Sequence, residues 1–466
     1  MKSWKKRMTA LVLLLALLLP ACSTGQPRKT YQSTGENWNV GFGKRQIIPP
    51  EDSGQPLYIA GYNSGWEITG VLDYCEARAV WLDTGSEGVL LIGVDCVALA
   101  SGTVAKIRQA LSDLPNCAAI HVYATHDHAG IDTLGLWGPV GMDGKNDAYM
   151  EALIAAAAEA GRDAAETVKA GSLCFGQVGT EEMLYDSRYP TVFDPNLYQL
   201  RFVPNDGSAG TRLYFYGAHA ESLRGANSRL SRDFPGLLCD TVTEKTGDNT
   251  MFFPGAIGGL IMTDEFVYDT SSRAVDNLTI TAEKLVGYAL STTPDAERVL
   301  EPRLSMNRTV FTVPLDNPAF MLYKFLGILD NTAVPARSAT GYGVKTELSV
   351  VMLGDVALAL LPGEIFPELV YGEEYGDANP DGENPTPLAE IAAEQGIENL
   401  LIVGLANDEI GYIVTPSDFL LNEQLPYLER IVDYKGENHY EETNSTGPNA
   451  AGAIADAFAK TVKGLK

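Results

Sequence analysis

The chain has 466 residues, with 60 acidic side chains against 34 basic ones and a formal net charge of −26. A surface this acidic excludes nucleic acid as a partner and electrostatic docking on anionic lipid. The length exceeds one typical core, but no internal repeat or low-complexity linker divides it, and large α/β enzymes reach this size as one catalytic unit.

The first segment reads as an export signal. Lys2, Lys5, Lys6 and Arg7 precede a purely apolar run at 10–19. That run is too short to span a bilayer and has the proportions of a signal-peptide core. It ends in Leu19-Pro20-Ala21-Cys22. This resembles a bacterial lipobox, which implies cleavage before Cys22 and lipid on its sulfur and amino group. The expected organisation is a signal peptide at 1–21, a lipidated flexible tether at 22–37 and a folded domain at 38–466. The protein is then held at the extracytoplasmic face of the cell membrane by the lipid on Cys22. The competing reading is an ordinary secretory signal with a coincidental cysteine. Loss of the four leader cations takes the formal charge from −26 to −30. Beyond Cys22 the count of cysteines is odd (Cys75, Cys96, Cys117, Cys174, Cys239) and no C-x-x-C occurs. Neither a disulfide framework nor a four-cysteine zinc site is indicated.

Within the domain, 78–82 and 88–94 read as strands flanking a Gly-Ser-Glu-Gly turn. Val104, Ile107 and Leu111 form one stripe of a helix over 103–114. A short buried strand at 118–123 leads into Ala124-Thr125-His126-Asp127-His128-Ala129-Gly130. Side chains alternate along a strand, so His126 and His128 project together if the extended conformation persists that far. Residues 147–170 form an alanine-rich helix, with Asp147 as N-cap and Gly171 as its stop. A strand at 212–216 leads to His219, and 348–361 reads as a hairpin around Gly354-Asp355. The polar stretch 372–387 is a long surface loop. A strand at 399–405 runs toward Asn407-Asp408, and a helix over 449–462 closes the domain. This alternation predicts an α/β fold, with a mixed β-sheet core flanked by helices in a single catalytic domain.

Several of these strand-like runs deliver a metal-competent side chain at their C-terminal ends. They are His126 with His128, His219, Glu364 in Leu361-Pro362-Gly363-Glu364, and the stretch Asn407-Asp408-Glu409-Ile410-Gly411-Tyr412. Two histidines, one carboxylate and one further ligand satisfy a catalytic zinc that keeps one position open. Spacing does not show that they converge. Each has a plainer reading: His219 as a hydrogen-bonded core histidine, Glu364 as a cap for the helix beyond it, Tyr412 as core packing.

Taken in order, the motifs resemble the neutral (neutral/alkaline, non-lysosomal) ceramidase family. The family's A-T-H-x-H-[SA]-G corresponds to 124–130. A strand ending in histidine, followed by S-x-D-x-x-G, corresponds to Ala218-His219 and Ser231-Arg232-Asp233-Phe234-Pro235-Gly236. F-x-x-G-A-x-G corresponds to 252–258, P-G-E to Pro362-Gly363-Glu364, and G-L-x-N-x-x-x-x-Y-[IL]-x-T to 404–415. Tyr440-Glu441 matches a later Tyr-Glu. The resemblance runs from about Val40 onward and implies a Zn²⁺ cofactor held by His126, His219, Glu364 and Tyr412. It implies that His128 is the catalytic acid/base, that Tyr440 is a further active-site tyrosine and that Arg188 is the nearest counterpart of a catalytic arginine. His121 and His439 match no motif and read as structural or surface residues.

One element departs from the pattern. Where ceramide-cleaving members continue G-D-x-S-P, this chain has Gly258-Gly259-Leu260-Ile261-Met262, with Thr263 following. The resemblance therefore implies an extracytoplasmic zinc-dependent hydrolase of N-acyl, ceramide-like amides, with ceramide itself disfavoured. The partners expected are a small-molecule or lipid amide substrate and, through the lipid on Cys22, the membrane. The alternative is a non-catalytic lipid- or glycan-binding lipoprotein of the same fold.

Overall fold

Two mixed β-sheets lie face to face and share one apolar layer. The computed structural model describes residues 30–51, 54–259, 261–263 and 274–465. The expected signal segment, Cys22 and the first half of the expected tether lie outside them. The larger sheet has the order Asn249–Pro254, Thr211–Tyr216, Asn196–Pro204, Lys169–Gly179, Trp38–Gln46, Glu76–Asp83, Gly88–Val94, Cys117–Ala124, with Arg298–Val299 paired to Lys169–Gly179. The smaller has the order Thr30–Thr34, Arg303–Leu315, Tyr342–Leu353, Val356–Leu360, Asn399–Val403, with Ala333–Pro335 paired to Tyr342–Leu353. Most neighbours are antiparallel. Gly88–Val94 with Cys117–Ala124, Thr211–Tyr216 with Asn249–Pro254, and Val356–Leu360 with Asn399–Val403 are parallel.

Strand periodicity sorts the core into layers. Val89 and Leu91, Leu213 and Phe215, and Val351 and Leu353 point into the layer between the sheets. Their neighbours in sequence point outward to helices. Leu90 and Ile92 meet the helix Asp147–Glu166. Tyr214 and Tyr216 meet the helices Asp233–Thr246 and Ala274–Ser291. Leu348 and Val350 meet Ala450–Lys463. The result is a helix–sheet–sheet–helix sandwich, the α/β fold with a mixed sheet core expected from sequence. Each fully buried Leu or Phe of the central layer contributes roughly 1.5–3 kcal/mol.

The local differences have local causes. The long helix is capped by Asn146, whose side chain accepts the Tyr149 N–H, and not by Asp147. It stops at Glu166, because Lys169 already belongs to a strand. Gly171 is therefore no helix stop. It lies in that strand, where a Cβ would sit 2.2 Å from the Val203 carbonyl oxygen. The helix expected over 103–114 spans Ser101–Ala110. The hairpin around Gly354 forms as expected, with φ +65 at that glycine. Thr30–Thr34, at the end of the stretch expected as tether, pairs with Arg303–Leu315 as an edge strand. The five described cysteines are free thiols. Among the described residues no helix is long and apolar enough to cross a membrane.

The two sheets are stitched together at one end. Beyond Ala124 and Val403 the chains meet: the Ala124 N–H donates to the Leu405 carbonyl at 3.2 Å and the Asn407 N–H to the Val122 carbonyl at 2.7 Å. Asn407 Oδ1 also accepts from the Val122 N–H and from Arg108. That seam brings the C-terminal ends of strands from both sheets to one place.

Candidate metal centre and active site

His126, His219, Glu364 and Tyr412 all follow the C-terminal ends of core strands. Their convergence is produced by main-chain contacts. The strand carrying the first histidine ends at Ala124, and His126 adopts a left-handed conformation, φ 62. Simple alternation therefore does not continue through the motif, contrary to the extended reading. The Asp127 N–H donates to the Cys96 carbonyl and the His128 N–H to the Ala220 carbonyl, each at 3.0 Å. The second contact docks the opening motif against the residue after His219. Glu364 and Tyr412 are Cα partners on two short parallel strands, so their side chains lie side by side.

The ring atoms close on one point. His126 Nε2 lies 3.0 Å from His128 Nε2 and 3.2 Å from Glu364 Oε2. His219 Nε2 lies 3.3 Å from the same carboxylate oxygen. His126 Nδ1 is 2.8 Å from the Val97 carbonyl, and His219 Nδ1 is 3.0 Å from the Ile261 carbonyl. A carbonyl only accepts, so each Nδ1 carries the proton and each Nε2 presents its lone pair inward. This is the orientation that holds metal-ligating imidazoles. His219 Nε2 and Glu364 Oε2 are buried without a hydrogen-bond partner. Lone pairs facing one another at about 3 Å need a cation or shared protons between them. The donor set, imidazole nitrogens with one carboxylate, fits Zn²⁺. Burial works against ionising Glu364, yet the His126 and His219 imidazoles outweigh it and hold its carboxyl well below the ordinary value.

His128 differs from the other two. Its Nδ1 has no carbonyl holding it and lies 4.0 Å from Glu221 Oε2. Burial, then the neighbouring His126 and His219, lowers its pKa well below the ordinary imidazole value. Gly61, at φ +100, leaves room for this ring: a Cβ there would lie 2.6 Å from Nδ1.

Tyr412 and Tyr440 meet edge to face, with ring centroids 6.2 Å apart. Burial and then the Glu364 charge raise the Tyr412 phenol well above its ordinary value. Both tyrosines line a cavity of about 540 Å³ that opens from the centre, together with His126, His128 and Glu364. The far part of the cavity is apolar and includes Leu134, Trp137, Leu315, Phe320 and Val344.

Arg188 lies elsewhere. Its guanidinium pairs with Asp418, Glu441 and Glu442 and meets a ring nitrogen of His439, away from the cavity lining. It anchors the residues that follow Tyr440; the placement expected for a catalytic arginine is a correction here, caused by this carboxylate cage. The arginine that lines the cavity is Arg224, whose Nη1 lies 3.7 Å from Met262 Sδ. Tyr62, Glu221 and Glu409 also line the cavity, and the Tyr62 hydroxyl donates to Glu221. Sequence reasoning had missed these four. Glu221 could have been sought two residues after His219, and Glu409 inside the Asn407–Tyr412 motif. Nothing local marks Tyr62 or Arg224.

The altered element is also placed differently from a cleft-facing reading. The Ile261 side chain is fully buried in an apolar cluster with Met183, Leu184 and Phe234. Among the described residues of this element, Met262 is the one that reaches the cavity. Gly259 has φ +79, and a Cβ there would lie 3.5 Å from Asp186 Oδ1. His121 is a core histidine, accepting from Asn407 Nδ2 at 3.2 Å.

No family model matches the chain. No curated relative matches it either. Among solved structures, the neutral ceramidase from Pseudomonas aeruginosa is similar with a TM-score of 0.71 at 15% identity, over 92% of this chain and 74% of that one. A ceramidase complexed with C2 is similar with a TM-score of 0.69 at 15% identity, over 92% of this chain and 75% of that one. The chain thus has the neutral ceramidase fold across nearly all its length.

Proposed function

We propose that the protein is a zinc-dependent hydrolase of N-acyl amides, acting outside the cell. One observation carries the reading: ring nitrogens of three imidazoles and one carboxylate oxygen meet at the inner end of a cavity that is otherwise largely apolar. The zinc ligands in this reading are His126, His219, Glu364 and Tyr412. When bound, the ion supplies Lewis acidity toward the scissile carbonyl and acidifies a water beside it.

The chain's own groups do the rest. His128, kept neutral by its surroundings, accepts a proton at Nε2, the nitrogen facing the centre, and delivers it to the leaving amine. Glu221, beside Nδ1, stabilises the imidazolium formed in between. Arg224 and Tyr440 face the cavity and offer donors to the carbonyl oxygen as charge develops on it. An acyl chain fits the apolar part of the cavity, where burial of each methylene favours binding by about 0.8 kcal/mol.

A lipid amide is the favoured substrate class. Phe320 and Lys324 line the cavity from the helix Pro318–Phe325, while Leu322, Phe325 and the adjacent Leu326 stand exposed. Val140 and Met142 are exposed a few residues beyond the cavity-lining Trp137. Such apolar surface beside a substrate entrance suits a molecule drawn from a bilayer. Ceramide is disfavoured, since the altered element contributes Met262 and no hydroxyl to the cavity. The lipid on Cys22 would hold the enzyme at that bilayer, and membrane fractionation of Cys22→Ser tests this by release of the protein.

The deciding experiment measures zinc content and hydrolysis of a panel of N-acyl amides and esters, ceramide included. Acyl release that disappears together with about one equivalent of zinc in His219→Ala and Glu364→Ala is the expected result. Full zinc without turnover of any amide or ester would favour a non-catalytic lipid- or glycan-binding lipoprotein. Equal metal in wild type and both variants would remove the centre as described.

A further inference from the structure

A second group of metal-competent side chains lies behind Tyr440, separate from the His126 centre. Asp418 ends the short helical turn Pro416–Asp418, and His439 ends the second strand of a small hairpin, Ile431–Val432 with Asn438–His439. Glu437 sits in the turn between them. One ligand atom each from Asp418, Glu437 and His439 lies within 4.8 Å of the others. Asp433 Oδ2 approaches His439 Nε2 at 3.6 Å. The turn is preformed, because Asp433 Oδ1 accepts the N–H groups of Lys435 and Glu437, each at 2.8 Å.

Two orphaned atoms point to a missing partner. His439 is 1% exposed, and its Nε2 has no hydrogen-bond partner. Glu437 Oε1 is buried without a partner as well. The local charge is unbalanced in the same direction. Asp418, Asp433, Glu437, Glu441 and Glu442 surround this hairpin, and the salt bridges of Arg188 go to Asp418, Glu441 and Glu442. Burial raises the carboxyls of Glu437, Asp418 and Glu441 above their ordinary value.

We propose that Asp418, Glu437 and His439, with Asp433 beside them, form a second divalent-cation site that fixes the segment carrying Tyr440 against the cavity. One imidazole nitrogen among carboxylate oxygens suits a first-row ion such as Zn²⁺ or Mn²⁺, whereas Ca²⁺ takes roughly six to eight oxygens. Tyr440 follows His439 directly, and Glu441 and Glu442 are tied to Arg188. A cation bridging the hairpin to Asp418 therefore acts on the position of Tyr440 and does not touch substrate. The inference stands independently of the hydrolytic reading.

The test titrates Zn²⁺ and Mn²⁺ into metal-stripped full chain by calorimetry, with metal analysis after dialysis. His219→Ala should still bind about one equivalent, and adding Glu437→Gln should weaken that binding at least about tenfold, as expected for loss of a charged ligand. In the otherwise unaltered chain, Glu437→Gln and His439→Gln should each bind about one equivalent fewer than wild type. Glu437 is in a solvent-accessible turn, so its amide is compatible with folding, and near-UV circular dichroism checks this. Equal binding by wild type and Glu437→Gln would overturn the site and leave a protonated His439 paired with Asp433 and Glu442. This outcome is distinct from loss of the His126 centre, which the His219→Ala variant reads.

Discussion

The carbonyl oxygen of Ile261 accepts from both the backbone N–H of His219, at 2.9 Å, and its ring Nδ1, at 3.0 Å. The position at which the chain departs most from the ceramidase motif thus orients the second histidine through its main chain. The isoleucine side chain points the other way, into the apolar cluster. Altered sequence and retained donor geometry are compatible for this reason.

Restoring the motif should therefore be costly. Ile261→Ser places a hydroxyl among Met183, Leu184 and Phe234 and should lower stability by about 1–3 kcal/mol. Zinc affinity should hold, because the carbonyl remains. Gly259→Asp adds a carboxyl beside Asp186, whose own pKa burial already pushes up to about 8. It also strains a left-handed position. Thermal unfolding and zinc content of the single and double variants check this, and loss of zinc in Ile261→Ser would contradict the main-chain role. Robust ceramide turnover by wild type would show that the motif hydroxyl is dispensable.

In the proposed mechanism the opening motif divides ligand from proton carrier. His126, locked by the Val97 carbonyl, should be needed for zinc. His128→Ala should keep most of its zinc and lose about two to four orders of magnitude in rate, the usual effect of removing a general acid–base group. Elemental analysis beside steady-state rates decides the matter. Loss of metal in His128→Ala would exchange the two roles.

The two arginines should separate stability from turnover. Arg188→Gln leaves Asp418, Glu441 and Glu442 without their common cation, and breaking such a buried network costs about 3–5 kcal/mol. Arg224→Gln should leave the unfolding midpoint nearly unchanged while reducing kcat. Urea unfolding and kinetics of both variants test the assignment, and the opposite pattern would return the catalytic role to Arg188.

His121 should make the fold acid-sensitive. Burial, then the positive charge of Arg108, depresses its pKa from 6.5 to about 3. Between those values the unfolded chain binds a proton that the folded chain refuses. Stability present above about pH 6.5 is therefore lost as the pH falls toward about 3, at up to about 1.4 kcal/mol per pH unit from this residue. His121→Gln keeps an acceptor for Asn407 and removes the titration. Urea midpoints near neutral pH and near pH ~4.5 should converge in the variant relative to wild type; an unchanged gap would place the acid sensitivity elsewhere.

By itself the sequence determined the strand and helix alternation, the hairpin at Gly354 and the placing of His126, His219 and Glu364 just beyond strand ends, with Tyr412 in the segment that follows another. These features are written in local periodicity and in short ordered motifs, which each segment carries whatever its neighbours do. Tertiary structure alone decided that those four ends meet, since they belong to strands of two different sheets joined by the contacts between 122–124 and 405–407. It also decided the left-handed turn at His126, the cap at Asn146 over Asp147, the outward-buried side chain of Ile261, and the exchange of Arg188 for Arg224 at the cavity. Each of these depends on which distant carbonyl, carboxylate or apolar face lies opposite. That choice is made by burial between sheets and helices, and the periodicity of one segment carries no information about it.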